Sequence, residues 1–270
     1  MDKTVSLTDA VQLVGDGATL ALGGVTLYRR PMAFALALLH HFAHSGSPAG
    51  LNLLPFTGSL ETDLLISAGM VQRIRTCYVG LEAFGLAPYF TQAASQGTLH
   101  IQEETEASLA CGIRAAMSGV GFMPSTAWVG TDLPSLRPDV RTVVDPYSGE
   151  ELTAFPAVRC DVAVIHALEA DRRGNARLNG HWGVDREVVM VAGTVVVTAE
   201  RVVDRLDQAD IPGQAVRAVV ECPRGAWPTS CHPLYPFDGQ AILDYVEAAG
   251  TEAFPALVSA WAARHLDRPA

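Results

Sequence analysis

Three carboxylates, Glu103, Glu104 and Glu106, crowd one short stretch where an apolar run over 99–103 gives way to a helical pattern over 105–117. Acids at such a junction complement the positive end of a helix. Crowded on a sheet rim, they also compete for one proton, which suits acid–base or nucleophilic work. A second stretch of interest is Gly23-Gly24, followed by Val25, Thr26, Leu27, Tyr28, Arg29, Arg30 and Pro31. Its glycine pair lets the backbone leave a strand in conformations that a Cβ would forbid. Pro31 suits a first helical turn, where its missing N–H costs nothing. A strand, a glycine pair, a polar loop and a helix make either a ligand-facing corner or a plain tight connection with surface arginines. His166 lies inside an otherwise apolar run and reads as a hydrogen-bonded core residue. Asp171 to Asn175 reads as a turn, with Gly174 and Asn175 taking positive φ.

The elements that must position these residues follow from hydrophobic periodicity. Short apolar runs predict strands over 19–22, 51–56, 74–79, 99–103, 161–167, 188–191, 194–199 and 216–221. Helical patterns start at a capping Ser6 and recur over 31–42, from 64 to Gly69, and over 88–96, 105–117, 240–248 and 256–265. Between 119 and 156, Pro124, Pro134, Pro138, Pro146 and Pro156 argue for an excursion with short strands. The alternation predicts an α/β fold over 1–270 as one domain, with a mostly parallel sheet flanked by helices. Ligands in such folds bind beyond the carboxyl ends of the strands. Residues 23–30, 57–59 and 103–106 then share one rim.

Composition narrows the function classes. Of 270 residues 49% are hydrophobic and 18% charged, below the usual quarter, which points to one member of a stable oligomer. A net charge of −10 argues against a nucleic-acid binder. No apolar run reaches the roughly 18 residues of a membrane span. Met1-Asp2-Lys3-Thr4 lacks an apolar signal core, so the expectation is a cytoplasmic protein. Cys77, Cys111, Cys160, Cys222 and Cys231 show no C-x-x-C spacing, which fits reduced thiols. His40, His41 and His44 lack a carboxylate or cysteine at ligand spacing, so no metal site is expected. G-x-S-x-G, G-x-x-x-x-G-K-[ST] and strand-linked G-x-G-x-x-G patterns are missing, which disfavours a serine hydrolase and a nucleotide binder.

Asp16-Gly17, three apolar residues, Gly23-Gly24 and a loop ending in Arg30-Pro31-Met32-Ala33 resemble the signature of class I coenzyme A transferase alpha subunits, in the glutaconate CoA-transferase-like branch. Val25 and Arg29 depart from the residues usual there. Phe122-Met123-Pro124, Pro156-Ala157, Asp161-Val162-Ala163 with His166, Asp171 to Asn175, and Glu221-Cys222-Pro223 extend the resemblance in order along the chain.

The resemblance implies a CoA thioester substrate, no tightly bound cofactor and a beta subunit that supplies a nucleophilic glutamate. Gly23, Gly24, Tyr28, Arg29, Thr57 and Gly58 would line the acyl and acid pocket, with Arg29 pairing a substrate carboxylate. It also implies an alternative: ring-opening CoA-thioester hydrolases of steroid catabolism use an alpha-subunit glutamate, at the position of Glu103 or Glu106. A third reading is a non-catalytic binding or regulatory subunit.

Overall fold

The computed structural model describes residues 1–266. Its main sheet has seven strands: β1 (Thr19–Leu22), β2 (Leu51–Leu53), β3 (Val71–Thr76), β4 (His100–Glu103), β5 (Cys160–Ala167), β6 (Ala192–Ala199) and β7 (Ala218–Glu221). They lie in the order β7-β6-β5-β1-β2-β3-β4, every neighbouring pair parallel. From β1 the chain steps outward to β4 on one side, and from β5 it steps outward to β7 on the other. The strand order therefore reverses between β1 and β5. That reversal opens a crevice at the carboxyl ends of these two strands, where such sheets bind ligands.

Strand residues alternate between two cores. Leu20, Leu22, Leu51, Leu53, Ile74, Val162 and Val164 face one core, shared with helix α2 (Met32–Ser45) and the helix Gly239–Ala248. Ala21, Ala163, Ile165, Val195 and Val197 face the other, shared with helix α5 (Glu106–Met117). Helix α1 (Leu7–Val11) is capped by Ser6, whose hydroxyl accepts the Asp9 amide at 3.0 Å. Helix α2 follows Pro31 directly and stops at Gly46, which takes φ 75°. Helices α3 (Leu60–Ser67) and α4 (Pro88–Gln96) complete the first half. At α5, the Thr105 hydroxyl accepts the Ser108 amide at 3.2 Å and the Ser108 hydroxyl accepts the Thr105 amide at 2.8 Å.

The excursion is a three-stranded antiparallel sheet, with Glu151–Pro156 between Phe122–Ser125 and Arg141–Val144. One predicted strand is corrected: 188–191 is not a strand, because Asp185–Val188 forms a short helix that turns into β6. Val184 and Val188 pack on the second core at helical spacing, and β6 already has β5 and β7 as neighbours. Among the described residues, no helix is long and apolar enough to cross a membrane.

Candidate active site

At the end of β1, the Gly23 amide donates to the Val164 carbonyl at 2.9 Å, tying the turn to β5. A Cβ on Gly23 would lie 2.5 Å from Ile165 Cδ1 and 2.8 Å from Asp185 Oδ1. Gly24 takes φ 88°, and a Cβ there would lie 2.5 Å from the Tyr28 carbonyl oxygen. Both positions thus require glycine for close approach. The Gly24 amide donates to Asp185 Oδ1 at 3.1 Å. Both amides are therefore engaged within the chain.

Arg29 and Arg30 are fully buried. Arg29 donates to the carbonyls of His166 at 2.8 Å and His181 at 3.1 Å, and to Asp185 Oδ2 at 2.8 Å. Arg29, expected to pair a substrate carboxylate, thus meets a carboxylate of its own chain. A guanidinium removed from water needs a carboxylate of its own, and Asp185 supplies it. Arg30 donates to the carbonyls of Gly24 at 2.9 Å and Thr57 at 2.6 Å, and it pairs with buried Glu61. The Thr57 hydroxyl accepts the Thr26 amide at 2.8 Å. Gly58 is tight too, since a Cβ would lie 3.0 Å from Thr62 Oγ1. Arg30 thereby staples Thr57-Gly58 to Gly23-Gly24, as a shared rim required. Tyr28 is half-buried and donates to the His232 carbonyl at 3.2 Å; burial raises its phenol above the ordinary value.

Strain concentrates here. Thr26, Arg29, His181 and Arg224 take positive φ without being glycine, at 46°, 52°, 56° and 59°. Arg29 Nε, Arg30 Nε, Ser59 Oγ and Glu61 Oε2 are buried without a hydrogen-bond partner among the described residues. Both features carry a cost that folded proteins tolerate mainly at functional sites.

Sequence reasoning missed the network below this corner. His166 is fully buried, with ring nitrogens 2.9 Å from Thr198 Oγ1 and 2.9 Å from Glu200 Oε1. Glu200 also accepts the Tyr235 hydroxyl and, at 2.5 Å, the Arg224 amide. Burial opposes the Glu200 charge, but His166 and these donors outweigh it and hold its carboxyl below the ordinary value. The Cys231 thiol is pushed up to about 12, by burial first and then by Glu200. His166, Glu200 and Cys231 offer ligand atoms within 4.8 Å of one another. Hydrogen bonds to protein groups already engage His166 and Glu200, so the cluster acts as a polar pin for the 222–235 loop.

The acidic segment divides. Glu104 is buried and binds Arg75 Nε at 2.7 Å, Arg137 Nη1 at 2.8 Å and the Ser108 hydroxyl. Arg137 also donates to the Glu103 carbonyl at 2.8 Å, so Glu104 is a structural anchor. Glu103 and Glu106 are exposed, and their carboxylates make no ion pair or hydrogen bond among the described residues. The Cys77 thiol is pushed up to about 12, by burial first and then by the charges of Glu104 and Glu106. Three strand spacings, about 14 Å, separate the ends of β1 and β4. The candidate residues form two groups on one rim, a corner at the crevice and an acidic edge.

A parallel α/β sheet with a glycine-lined corner at its switch point defines a protein that binds ligands across its carboxyl rim. The family profile described as Coenzyme A transferase matches residues 4–222, and the chain belongs to that family. It is 35% identical to the alpha subunit of 3-oxoadipate CoA-transferase from Pseudomonas knackmussii, over 89% of this chain and 86% of that one. It is 33% identical to the cholesterol ring-cleaving hydrolase IpdA subunit of Mycobacterium tuberculosis, over 93% of this chain and 89% of that one. The glutaconate coenzyme A-transferase structure from Acidaminococcus fermentans superposes with TM-score 0.86 at 28% identity, covering 96% of this chain and 88% of that one.

Proposed function

We propose that this chain is the alpha subunit of a heteromeric CoA-transferase that moves CoA between an acyl-CoA and a carboxylic acid. A beta subunit supplies the nucleophilic glutamate. The observation that carries this reading is the corner at residues 23–30, where the family's glycine pair sits at the switch point against Ile165 and Asp185. In the reaction, the partner's carboxylate attacks the thioester carbonyl and expels the CoA thiolate, leaving a mixed anhydride. The thiolate then attacks the enzyme's own carbonyl and releases the first acid, giving an enzyme thioester. The acceptor acid runs these two steps in reverse. Gly23, Gly24, Tyr28, Thr57 and Gly58 form a rigid wall for this chemistry, and Arg29 holds that wall from behind.

A hydrolytic reading has one observation in its favour. Glu104 is occupied by two arginines, but Glu103 and Glu106 stand free at the edge, and Glu106 exerts its charge on Cys77 at the end of β3. In that reading Glu106 is the base that activates water, and Glu103 stands beside it.

Co-expression with a CoA-transferase beta subunit tests both. Loss of acyl-CoA that requires an acceptor acid supports transfer, and acceptor-independent loss that Glu106→Ala abolishes supports hydrolysis. Full turnover by the beta subunit in the absence of this chain overturns both.

A further inference from the structure

The glycine corner continues into apolar surface. Val25 and Tyr28 close a tight turn, the Val25 amide donating to the Tyr28 carbonyl at 3.0 Å and the Tyr28 amide to the Val25 carbonyl at 2.8 Å. Leu27 turns into the first core, and Val25 stays half-buried at the rim. Phe56, just beyond the end of β2, is half-buried too, and its carbonyl accepts the Cys77 amide at 3.1 Å. A third rim loop arrives two residues before Asp185. A Cβ on Gly183 would lie 3.0 Å from Val25 Cγ2 and 3.5 Å from Phe56 Cδ1, so the three loops meet here and a side chain at this position would cover both. Trp182, next to that meeting point, is 40% exposed. The His181 and Tyr28 rings stand T-shaped beside it, with centroids 5.9 Å apart.

The buried charges at this place are already matched within the chain. Arg29 and Arg30 are fully buried and pair with Asp185 and Glu61. Arg186 lies over the Trp182 ring at 4.5 Å. Apolar groups bordering a binding corner favour apolar ligand surface, at about fourfold in affinity for each methylene buried. A carboxylate at the far end of an acyl chain would instead give up water against Val25 and Phe56.

We infer that Val25, Phe56 and Trp182 form the acyl-selecting wall of the corner. The acyl group it takes is an uncharged hydrocarbon chain, not that of a dicarboxylic acid. The occupant follows from position. Val25 is the residue after Gly24 and Phe56 the residue before Thr57, so the apolar surface is continuous with the corner assigned above to the acyl-CoA. The inference rests on that transferase reading.

The test measures kcat/KM of the pair co-expressed with a CoA-transferase beta subunit, with acetate as acceptor. The donors are butyryl-, pentanoyl- and hexanoyl-CoA against succinyl- and glutaryl-CoA. Rates should rise about fourfold per methylene along the first series. Pentanoyl-CoA should exceed glutaryl-CoA by about tenfold or more. Val25→Thr keeps the shape and adds a hydroxyl, and Phe56→Ala and Trp182→Ala each remove a ring. Each variant should flatten the rise with chain length while circular dichroism stays native. Phe56 packs on the second core, so Val25→Thr and Trp182→Ala carry the test if Phe56→Ala unfolds. Val25→Lys should shift the preference toward glutaryl-CoA. Variants that lower every acyl-CoA alike and keep the slope overturn the inference, because a merely structural role does that. A parent pair that prefers glutaryl-CoA to pentanoyl-CoA overturns it too, and loss of that preference in Arg186→Gln would assign the choice to the cation over Trp182. Transfer with the wrong preference spares the transferase reading. If no acyl-CoA of either series reacts, that reading falls and takes the wall with it.

Discussion

Arg29 and Asp185 lie 156 positions apart in the chain, yet their side chains meet at 2.8 Å behind the glycine corner, shielded from water. The same carboxylate accepts the Gly24 amide. One acid therefore fixes both the loop's cation and the loop's backbone. Removing one member of a buried pair leaves the other uncompensated, at about 3–5 kcal/mol. Asp185→Ala should lose about that much in urea unfolding. A double-mutant cycle with Arg29→Met should return a coupling of about 1–3 kcal/mol. Simple additivity would mean that the pair does not hold the corner.

The two glycines should differ in tolerance. A Cβ on Gly24 meets backbone oxygen at 2.5 Å and needs φ 88°, and neither can relax locally. A Cβ on Gly23 meets the end of the Ile165 side chain and the Asp185 carboxylate, which can shift. Gly24→Ala should cost about 3 kcal/mol or more, and Gly23→Ala about 1–3 kcal/mol. Thermal unfolding of the two variants side by side gives the order.

The three edge glutamates should separate by assay. Glu104→Gln weakens two arginine pairs at a buried position and should lower the melting temperature by several degrees. Glu103→Gln and Glu106→Gln touch exposed groups and should stay within about 0.5 kcal/mol of the parent. If the reaction is hydrolytic, Glu106→Gln should cut kcat by about 100-fold or more. If it is transfer, kcat of the assembled pair should change by only a few-fold.

Asp63 should give stability an unusual pH slope. Its carboxylate accepts the Phe90 amide and the Tyr245 hydroxyl, each at 2.7 Å, but burial dominates and raises its pKa from 3.8 to about 6. Because the folded value is the higher one, the native state holds the proton more tightly. Stability from this group is present below its unfolded value and is lost as pH rises through about 6. The loss should total about 3 kcal/mol. Glu200 has the opposite sign, since its folded value is lowered and its contribution disappears as pH falls below the ordinary carboxylate range. Urea titrations at several values between pH 4.5 and 7 should show the decline in the parent and a flatter profile in Asp63→Asn.

Local signals in the sequence carried most of the fold. Ser6 and Thr105 cap helices, Pro31 precedes one, and α4 spans Pro88–Gln96 as its pattern predicts. The family signature marked the corner because its glycines are needed for contacts that any member with this packing must make. What stayed illegible was pairing across long separations. Nothing near Arg29 reveals Asp185, and nothing near Glu104 reveals Arg137. Periodicity alone cannot distinguish a valine run on a buried helical turn from one in a strand, hence the misreading at 188–191. Arg29 looked like a ligand-facing cation because loop arginines usually reach water, whereas this one is the loop's internal support.

The corner is closed by late parts of the chain. The Arg29 amide donates to the Ser230 carbonyl at 2.7 Å, the Ala33 amide to the Gly225 carbonyl at 2.9 Å, and Arg29 waits for Asp185. During synthesis, residues 23–30 emerge first with their signature complete but without the groups that hold it. A chain released before residue 230 would carry the motif and lack the corner. Residues 23–33 and 185–230 thus act as clasp and catch, and the rim takes its working shape only when the later segment has folded back onto the earlier one.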